Sequence, residues 1–511
     1  MNLDIYLCTR NELRSLLETV IADAFRLDPA IVPAQVRHSL SKLIDSFRDD
    51  SWMLVESPYV DKIFRDSYYL YYSSKYGRYS RDCIKVSLFE GQQDNADFRS
   101  AAGLDVLKKQ YLGFFVVRPT EPDFLGRNTI SPRAFKNLPS FDYCSMPGNT
   151  TANGLKFEIR GFPHSSQDGE TYSCAETTLW SVMEYFSNKY AEYQPLKPSR
   201  IHAILKGLSY ERQIPSRGLS IYQISYVLKE SGFGCRIYSR QEYGNDFFRL
   251  MSSYIESGIP IAVGMDDFGE VNSQNIGHAA LIIGRKSHTE ADFINLKPNQ
   301  GLNAKQLSFL KLNQIDFYDC NNIDSSWVFI DDNHPPYQIG GADYPVQNYN
   351  AQWSQVKIRN FVVPLYPKIY LEAFEAMNFI REFLFFGLFP LEQMQKVYMR
   401  FYLTSSRSFK SSLALSDMQS DLKGFIIEKP MPKFVWIAEL ANAEQVKKRQ
   451  GNGLLVFDAT EPNISDNKPL IVAAYQNHLL FFDGNNDVLQ KMALPLQSFS
   501  LFINNLTPSA Q

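Results

Sequence analysis

The sequence predicts an α+β protein of three parts, and three observations carry that reading. The 511 residues include 37 Phe and 29 Tyr, flat rings that pack well on pleated surfaces. Stretches with helical spacing are followed by sets of strand-like runs, a segregated order of the two element types. The length, at roughly 100–200 residues per domain, and the 44% hydrophobic fraction provide ample material for a buried core.

In the first part, residues 1–153, Leu13, Leu16, Leu17, Val20, Ile21 and Phe25 share one helix face. A tyrosine-rich region spans 59–79, and residues 111–119 read as a buried strand closed by Pro119. Residues 146–154 (MPGNTTANG) are rich in turn formers and mark the first boundary. In the second part, 154–345, Leu179, Val182, Met183, Phe186 and Tyr190 predict a helix over 175–190. Three short strands are predicted at 259–265, 278–284 and 327–330, with 287–324 as an insertion of few periodic signals. The third part, 346–511, reads as helices over about 370–410. Strands follow at 434–439, 454–458, 470–475 and 479–484, with a hairpin at Gln476-Asn477.

Composition removes several function classes. A net charge of −3 with 21% charged residues gives no broad basic surface for nucleic acid. The most apolar run, residues 383–391, is less than half of the ~20 residues that cross a bilayer, and no secretory signal is read at the N-terminus. A soluble, cytoplasmic protein without membrane or nucleic-acid partners is expected. Cys8, Cys83, Cys144, Cys174, Cys235 and Cys320 contain no CxxC pair, so neither a zinc site nor a disulfide framework is signalled. A reducing compartment fits, and no cofactor is expected.

Four residues of the middle part form the one strong chemical signal. Cys174 stands immediately before the predicted helix, whose first turn presents free N–H groups and partial positive charge that favour a thiolate. His278 opens an apolar strand and can take and return a proton. Asp331, or its neighbour Asp332, ends another strand and can fix the imidazole tautomer. Gln167, seven residues before Cys174, can offer a side-chain N–H to an oxyanion beside the Cys174 backbone N–H. Taken singly, each has a plain reading: a packed cysteine, a satisfied core histidine, a turn after a strand. Their order along the chain points to acyl transfer.

These residues resemble papain-like cysteine peptidases. The resemblance rests on Gln167-Asp-Gly-Glu-Thr-Tyr-Ser-Cys174-Ala-Glu-Thr-Thr-Leu-Trp180, the segment Arg217 to Gly232, Gly258-Ile-Pro260, Gly277-His278 and Phe329-Ile-Asp331. It is strongest with the bacterial branch that processes bacteriocin leaders, and covers roughly residues 160–340. It implies a nucleophile helix packed on an antiparallel sheet, flanked by α/β domains, a Cys174, His278 and Asp331 triad with Gln167 at the oxyanion, and a protein or peptide substrate. The flanks resemble uncharacterised bacterial proteins and read as packing or partner-binding domains. Two departures stand out. Ala175-Glu176 replaces the small pair usual after the nucleophile, putting a carboxylate in the first helical turn, and the spacing from Gln167 to Cys174 is slightly longer than in papain.

The sequence predicts a thiol hydrolase that cleaves a peptide or isopeptide bond. It leaves open an acyltransferase of transglutaminase type, and a catalytically inactive binding or regulatory protein on the same fold. Other features read as structural. Asp266-Asp267 and Asp331-Asp332 are acidic pairs at strand ends, where a solvated role is the expectation over a metal site. His164, His288 and His334 lack ligand spacing, Gly340-Gly341 lacks the Lys of a phosphate loop, and Lys447-Lys448-Arg449 reads as a solvated helix end.

Overall fold

Helices alternate in the chain with three mainly antiparallel sheets, giving the α+β class. The structure, a computed structural model, describes residues 3–36, 39–77, 79–120, 123–267, 277–324, 326–349, 353–386, 390–391, 394–482 and 488–510. The first sheet has seven strands, in the order Asp4–Thr9, Ser51–Tyr59, Cys83–Glu90, Tyr111–Val117, Leu125–Ile130, Leu155–His164 and Met146–Ala152. The helix Arg10–Phe25 covers it through Leu13, Leu17, Val20, Ile21 and Phe25, the face expected from the spacing.

The middle sheet runs Gln338–Gly340, Trp327–Ile330, Gly277–Lys286, Ile261–Asp266, Lys357–Leu365 and Gly234–Ser239. Its side chains alternate between two cores, as the two-residue period of a strand requires. Ala279, Leu281, Ile283, Val328 and Ile330 face the helix Cys174–Lys189 and the first sheet. Ala280, Ile282, Trp327 and Phe329 face the helices Phe247–Glu256 and Ala373–Phe386 and the third sheet. That sheet runs Asp316–Asp319, Lys396–Ser405, Phe434–Ala441, Gly453–Asp458, Leu470–Tyr475, His478–Phe482 and Leu489–Met492. The hairpin at Gln476-Asn477 is present, with Tyr475 opposite His478. Residue 484, at the end of the strand expected over 479–484, lies outside the described residues.

Three local readings are corrected. The turn-rich stretch 146–154 is the strand Met146–Ala152 with a hairpin into Leu155–His164, because Asn153 and Gly154 both take positive φ, 48° and 77°, the signature of a tight two-residue turn. Lys396–Ser405 is a central strand rather than helix, consistent with its aromatic and β-branched content. Residues 287–324 contain the helices Glu290–Asn295 and Ala304–Leu312 and the strand Asp316–Asp319, each too short to show a period.

Sheet membership also crosses the boundaries expected at 153/154 and 345/346. Leu155–His164 belongs to the first sheet, Lys357–Leu365 to the middle one, and Asp316–Asp319 joins the third by parallel pairing with Lys396–Ser405. No helix among the described residues is long and apolar enough to cross a membrane.

A charge network ties the middle and third sheets together. Glu256, 4% exposed, receives the Arg285 Nε–H and lies 3.1 Å from Arg400 Nη2. Arg285 also holds Asp142 at 2.7 Å and Arg400 holds Glu439 at 3.3 Å. These residues wall a cavity of about 570 Å3 lined by none of the predicted site residues. Burial opposes the charge on Glu256, but the two guanidinium groups outweigh it and hold the carboxyl well below its usual range. Removing one partner of such a buried network costs about 3–5 kcal/mol, so Glu256→Gln lowers the urea midpoint strongly at pH 7. The depressed carboxylate stabilises above its unfolded value of ~4.3 and loses that stabilisation as pH falls toward its folded value. The gap between wild type and variant therefore narrows below about pH 4, which chemical denaturation at a series of pH values checks.

Candidate active site

Cys174 is the first residue of the helix Cys174–Lys189. The sequence around it stops the chain in extended conformation at Ser173 and starts the helix there through a Ser-x-x-Glu capping box. Glu176 Oε2 accepts from the Ser173 backbone N–H at 3.1 Å and from the Ser173 hydroxyl. Its Oε1 accepts from Ser216 Oγ at 2.5 Å. One oxygen of this carboxylate is thus held by the capping residue Ser173 and the other by the distant Ser216.

The segment before the helix is pinned by Asp168, whose Oδ1 accepts backbone N–H groups from Glu170, Thr171 and Tyr172 at 2.7–2.9 Å. Arg118 adds a 2.7 Å bond to the Ser166 carbonyl. The thiol position is therefore set by a buried turn on one side and a buried helix on the other.

His278 lies at the start of Gly277–Lys286, opposite Met265. The neighbouring strand Trp327–Ile330 pairs Ile330 with Leu281, so the antiparallel run carries Asp331 toward the His278 end. The His278 Nε2–H donates to Asp331 Oδ2 at 2.8 Å, whereas Asp332 Oδ1 lies 3.9 Å away. Of the two acids the sequence left open, Asp331 is the one in hydrogen-bond reach. The Cys174 thiol lies near enough to the imidazole to affect its charge, and the bond to Asp331 leaves Nδ1 as the ring nitrogen open to it. The fold thus gathers Cys174, His278 and Asp331 in one place, with His278 bonded to Asp331.

Asp331 is itself heavily supported. Its Oδ1 accepts from the Asn333 N–H and its Oδ2 from the Tyr349 hydroxyl, both at 2.9 Å. Its backbone carbonyl accepts from His164 Nε2 at 2.9 Å, and His164 Nδ1 accepts from Asn128 Nδ2 at 2.8 Å. An amide nitrogen only donates, so His164 is fixed as the Nε2–H tautomer, and burial pulls its pKa down, keeping it neutral. Gln167 is half-buried and gives an Nε2 hydrogen to Asn333 Oδ1 at 3.0 Å. It is tied through Asn333 to the Asp331 side of the site, with its second amide hydrogen uncommitted to that bond.

The electrostatics follow from these contacts. Burial disfavours an imidazolium at His278, but the Asp331 charge, the hydrogen bonds to Asp331 and Cys174, and the Asp332 charge outweigh it and push the pKa well up. Burial also opposes a charged Asp331, yet the His278 charge and hydrogen bond and the Asn333 N–H hold it below the usual carboxylate range. For Asp332, burial and the adjacent Asp331 charge, offset only in part by His278 and by its own backbone N–H, push it up. Among the other thiols, burial raises Cys8, Cys144 and Cys235 to about 12 and raises Cys83 and Cys320 as well.

Sequence reasoning missed the walls of the site. Trp353 stands edge-on to the His278 ring at 5.0 Å, and Tyr349 packs on His334 at 3.7 Å. Their one signal was an aromatic cluster within about twenty residues after Asp331. The other features read as structural behave so in part: Asp266 pairs with Arg359 at 2.6 Å, Lys447 with Glu290 at 3.1 Å, and Gly340 ends a strand.

No protein-family model matches the chain, and no curated protein matches it in sequence. Fold and site together define an α+β protein in which the half-buried Cys174 lies beside the buried His278–Asp331 pair. Iodoacetamide at pH 7 is expected to label Cys174 fastest of the six cysteines, and His278→Ala to remove that preference. Peptide mapping by mass spectrometry reads both, and equal labelling of all six in wild type contradicts the relay. Tyr349→Phe deletes a donor to a charged acceptor and lowers stability by about 1.5–3 kcal/mol, measured by urea unfolding.

Proposed function

We propose that the protein is a papain-like thiol hydrolase that cleaves a peptide or isopeptide bond. The observation that carries the reading is the 2.8 Å bond from His278 to Asp331, with the Cys174 thiol beside that imidazole at a helix N-terminus. The nucleophile helix packed on an antiparallel sheet, with histidine and aspartate on adjacent strands, supports the papain-like architecture. The engagement of Glu176 in capping supports an active site over an inactive derivative of it.

In this mechanism His278 Nδ1 takes the thiol proton, and the Cys174 sulfur attacks the scissile carbonyl. The oxyanion is met by the Cys174 N–H, one of the first-turn donors without a helical partner, and by the second Gln167 amide hydrogen. The C–N bond breaks as the amine takes the imidazolium proton, leaving a thioester. His278 then draws a proton from water, whose oxygen bonds the acyl carbon as the C–S bond breaks and the thiol recovers its proton. Asp331 holds the Nε2–H tautomer throughout and balances the imidazolium charge. A protein or peptide is the substrate this reading implies. Six free cysteines support a reducing, cytoplasmic setting.

Cys174→Ala and His278→Ala are each expected to lower peptide cleavage on the order of 10^3-fold or more. Gln167→Ala lowers kcat by about 10^2–10^3-fold with a smaller effect on KM. Cleavage of a peptide library followed by mass spectrometry reads all three, and full cleavage by Cys174→Ala overturns the proposal.

A further inference from the structure

Asp331 and Asp332 are consecutive and both buried, 1% and 4% exposed, yet their surroundings differ completely. Asp331 accepts from His278, Tyr349 and Asn333. Among the described residues, no hydrogen bond of ordinary geometry reaches either oxygen of Asp332. A carboxyl buried without a donor carries a large desolvation cost, and only a proton or a cation between it and its neighbours relieves it. One ligand atom from each of His278, Asp331 and Asp332 lies within 4.8 Å of the others. A modest contraction of these side chains brings all three to the ~2.0–2.2 Å at which imidazole nitrogen and carboxylate oxygen hold Zn2+.

We propose that His278 Nε2, Asp331 and Asp332 bind a divalent transition-metal ion of the Zn2+ type, and that its binding switches the thiol site off. Two carboxylates and a dication sum to no net charge, which suits a buried position better than two adjacent anions do. The imidazole nitrogen selects a borderline transition ion over Mg2+ or Ca2+, which take oxygen ligands. To coordinate, Nε2 gives up its hydrogen, and the neutral ring then carries its proton on Nδ1. Nδ1 is the nitrogen that the Asp331 bond leaves for the thiol, so the ring then keeps no lone pair to receive the thiol proton. The thiol itself stays outside the coordination shell. Metal and relay therefore compete for the same His278–Asp331 contact.

Binding does not rest on the peptidase reading, while the switch does, and the experiment separates them. In the Cys174→Ala protein, equilibrium dialysis against Zn2+ at pH 7.5 is expected to give one ion per chain, with no comparable uptake of Mg2+. Adding Asp332→Asn weakens Zn2+ binding at least about tenfold, in line with loss of one carboxylate ligand. Asparagine matches the shape of Asp332 and breaks no hydrogen bond, and circular dichroism verifies the fold. X-ray absorption on Zn2+-loaded wild type is expected to show nitrogen and oxygen neighbours without sulfur. In wild type, Zn2+ also slows iodoacetamide labelling of Cys174, and in Asp332→Asn it does so only at correspondingly higher concentration. The site is overturned by absence of stoichiometric binding, by affinity indifferent to Asp332→Asn, or by a Zn–S contact. Stoichiometric binding with unchanged labelling overturns the switch. Intact Zn2+ binding in a protein that cleaves no peptide refutes the hydrolase reading alone.

Discussion

The hydrogen bond from His278 Nε2–H to Asp331 Oδ2, 2.8 Å long, is the contact on which the site depends. It fixes the tautomer, turns Nδ1 to the thiol and supplies the charge that makes an imidazolium tolerable in a buried place. It joins the start of one strand to the residue after its antiparallel neighbour, so a one-residue slip in register would turn the two side chains to different faces. Much of the fold around it serves to prevent that slip. Leu125–Ile130 and Leu155–His164 of the first sheet place Asn128 opposite His164, and that pair reaches across to the Asp331 carbonyl. Tyr349 and Asn333 hold the carboxylate from the other side. What reads in sequence as a separate N-terminal part is thus a buttress of the relay.

The same rule of buried charge organises the far face of the middle sheet. There Arg285 and Arg400 alternate with Asp142, Glu256 and Glu439, each charge meeting its opposite. Desolvation is offset pair by pair, and the network clamps the third sheet onto the second. Asp332 breaks the rule, being buried beside another anion. Atoms of Glu56, Glu184, Arg249 and Arg381 are also buried without a hydrogen bond, but each of those side chains keeps at least one bond, whereas neither Asp332 oxygen has one among the described residues.

The positions of the candidate residues are legible in the sequence because their signals are local. A cysteine ahead of a helical period, a histidine opening an apolar run and an aspartate closing another are visible within ten residues each, and the structure brings Cys174, His278 and Asp331 together. Gln167 was legible as a residue type, but its bond to Asn333 was not, since 166 residues separate them. Asn128, His164, Tyr349 and Trp353 were missed for the same reason: each acts through a contact distant in sequence. The Ser173–Glu176 capping box was visible as a motif, yet a carboxylate beside a nucleophile drew attention to charge rather than to capping. In the fold, the strands 327–330 and 470–475 were read to the residue, because strongly apolar β-rich runs have one stable use. The turn formers of 146–154 signal a boundary in the sequence, whereas Asn153-Gly154 closes a hairpin, since the same residues serve both. Whether the sheets flanking such a turn share a core is decided by packing, which no local window contains.

The central claim is that Cys174 attacks a carbonyl whose oxygen is received by its own N–H and by Gln167, while His278 stays on Asp331. A crystal structure of the protein reacted with a peptidyl aldehyde tests this most directly, because the hemithioacetal oxygen stands where the oxyanion forms. The account predicts a carbon–sulfur bond at Cys174, that oxygen within hydrogen-bond reach of the Cys174 N–H and Gln167 Nε2, and the His278–Asp331 bond intact. An aldehyde that leaves Cys174 unmodified, or an adduct whose oxygen points away from both donors with His278 detached from Asp331, would contradict it.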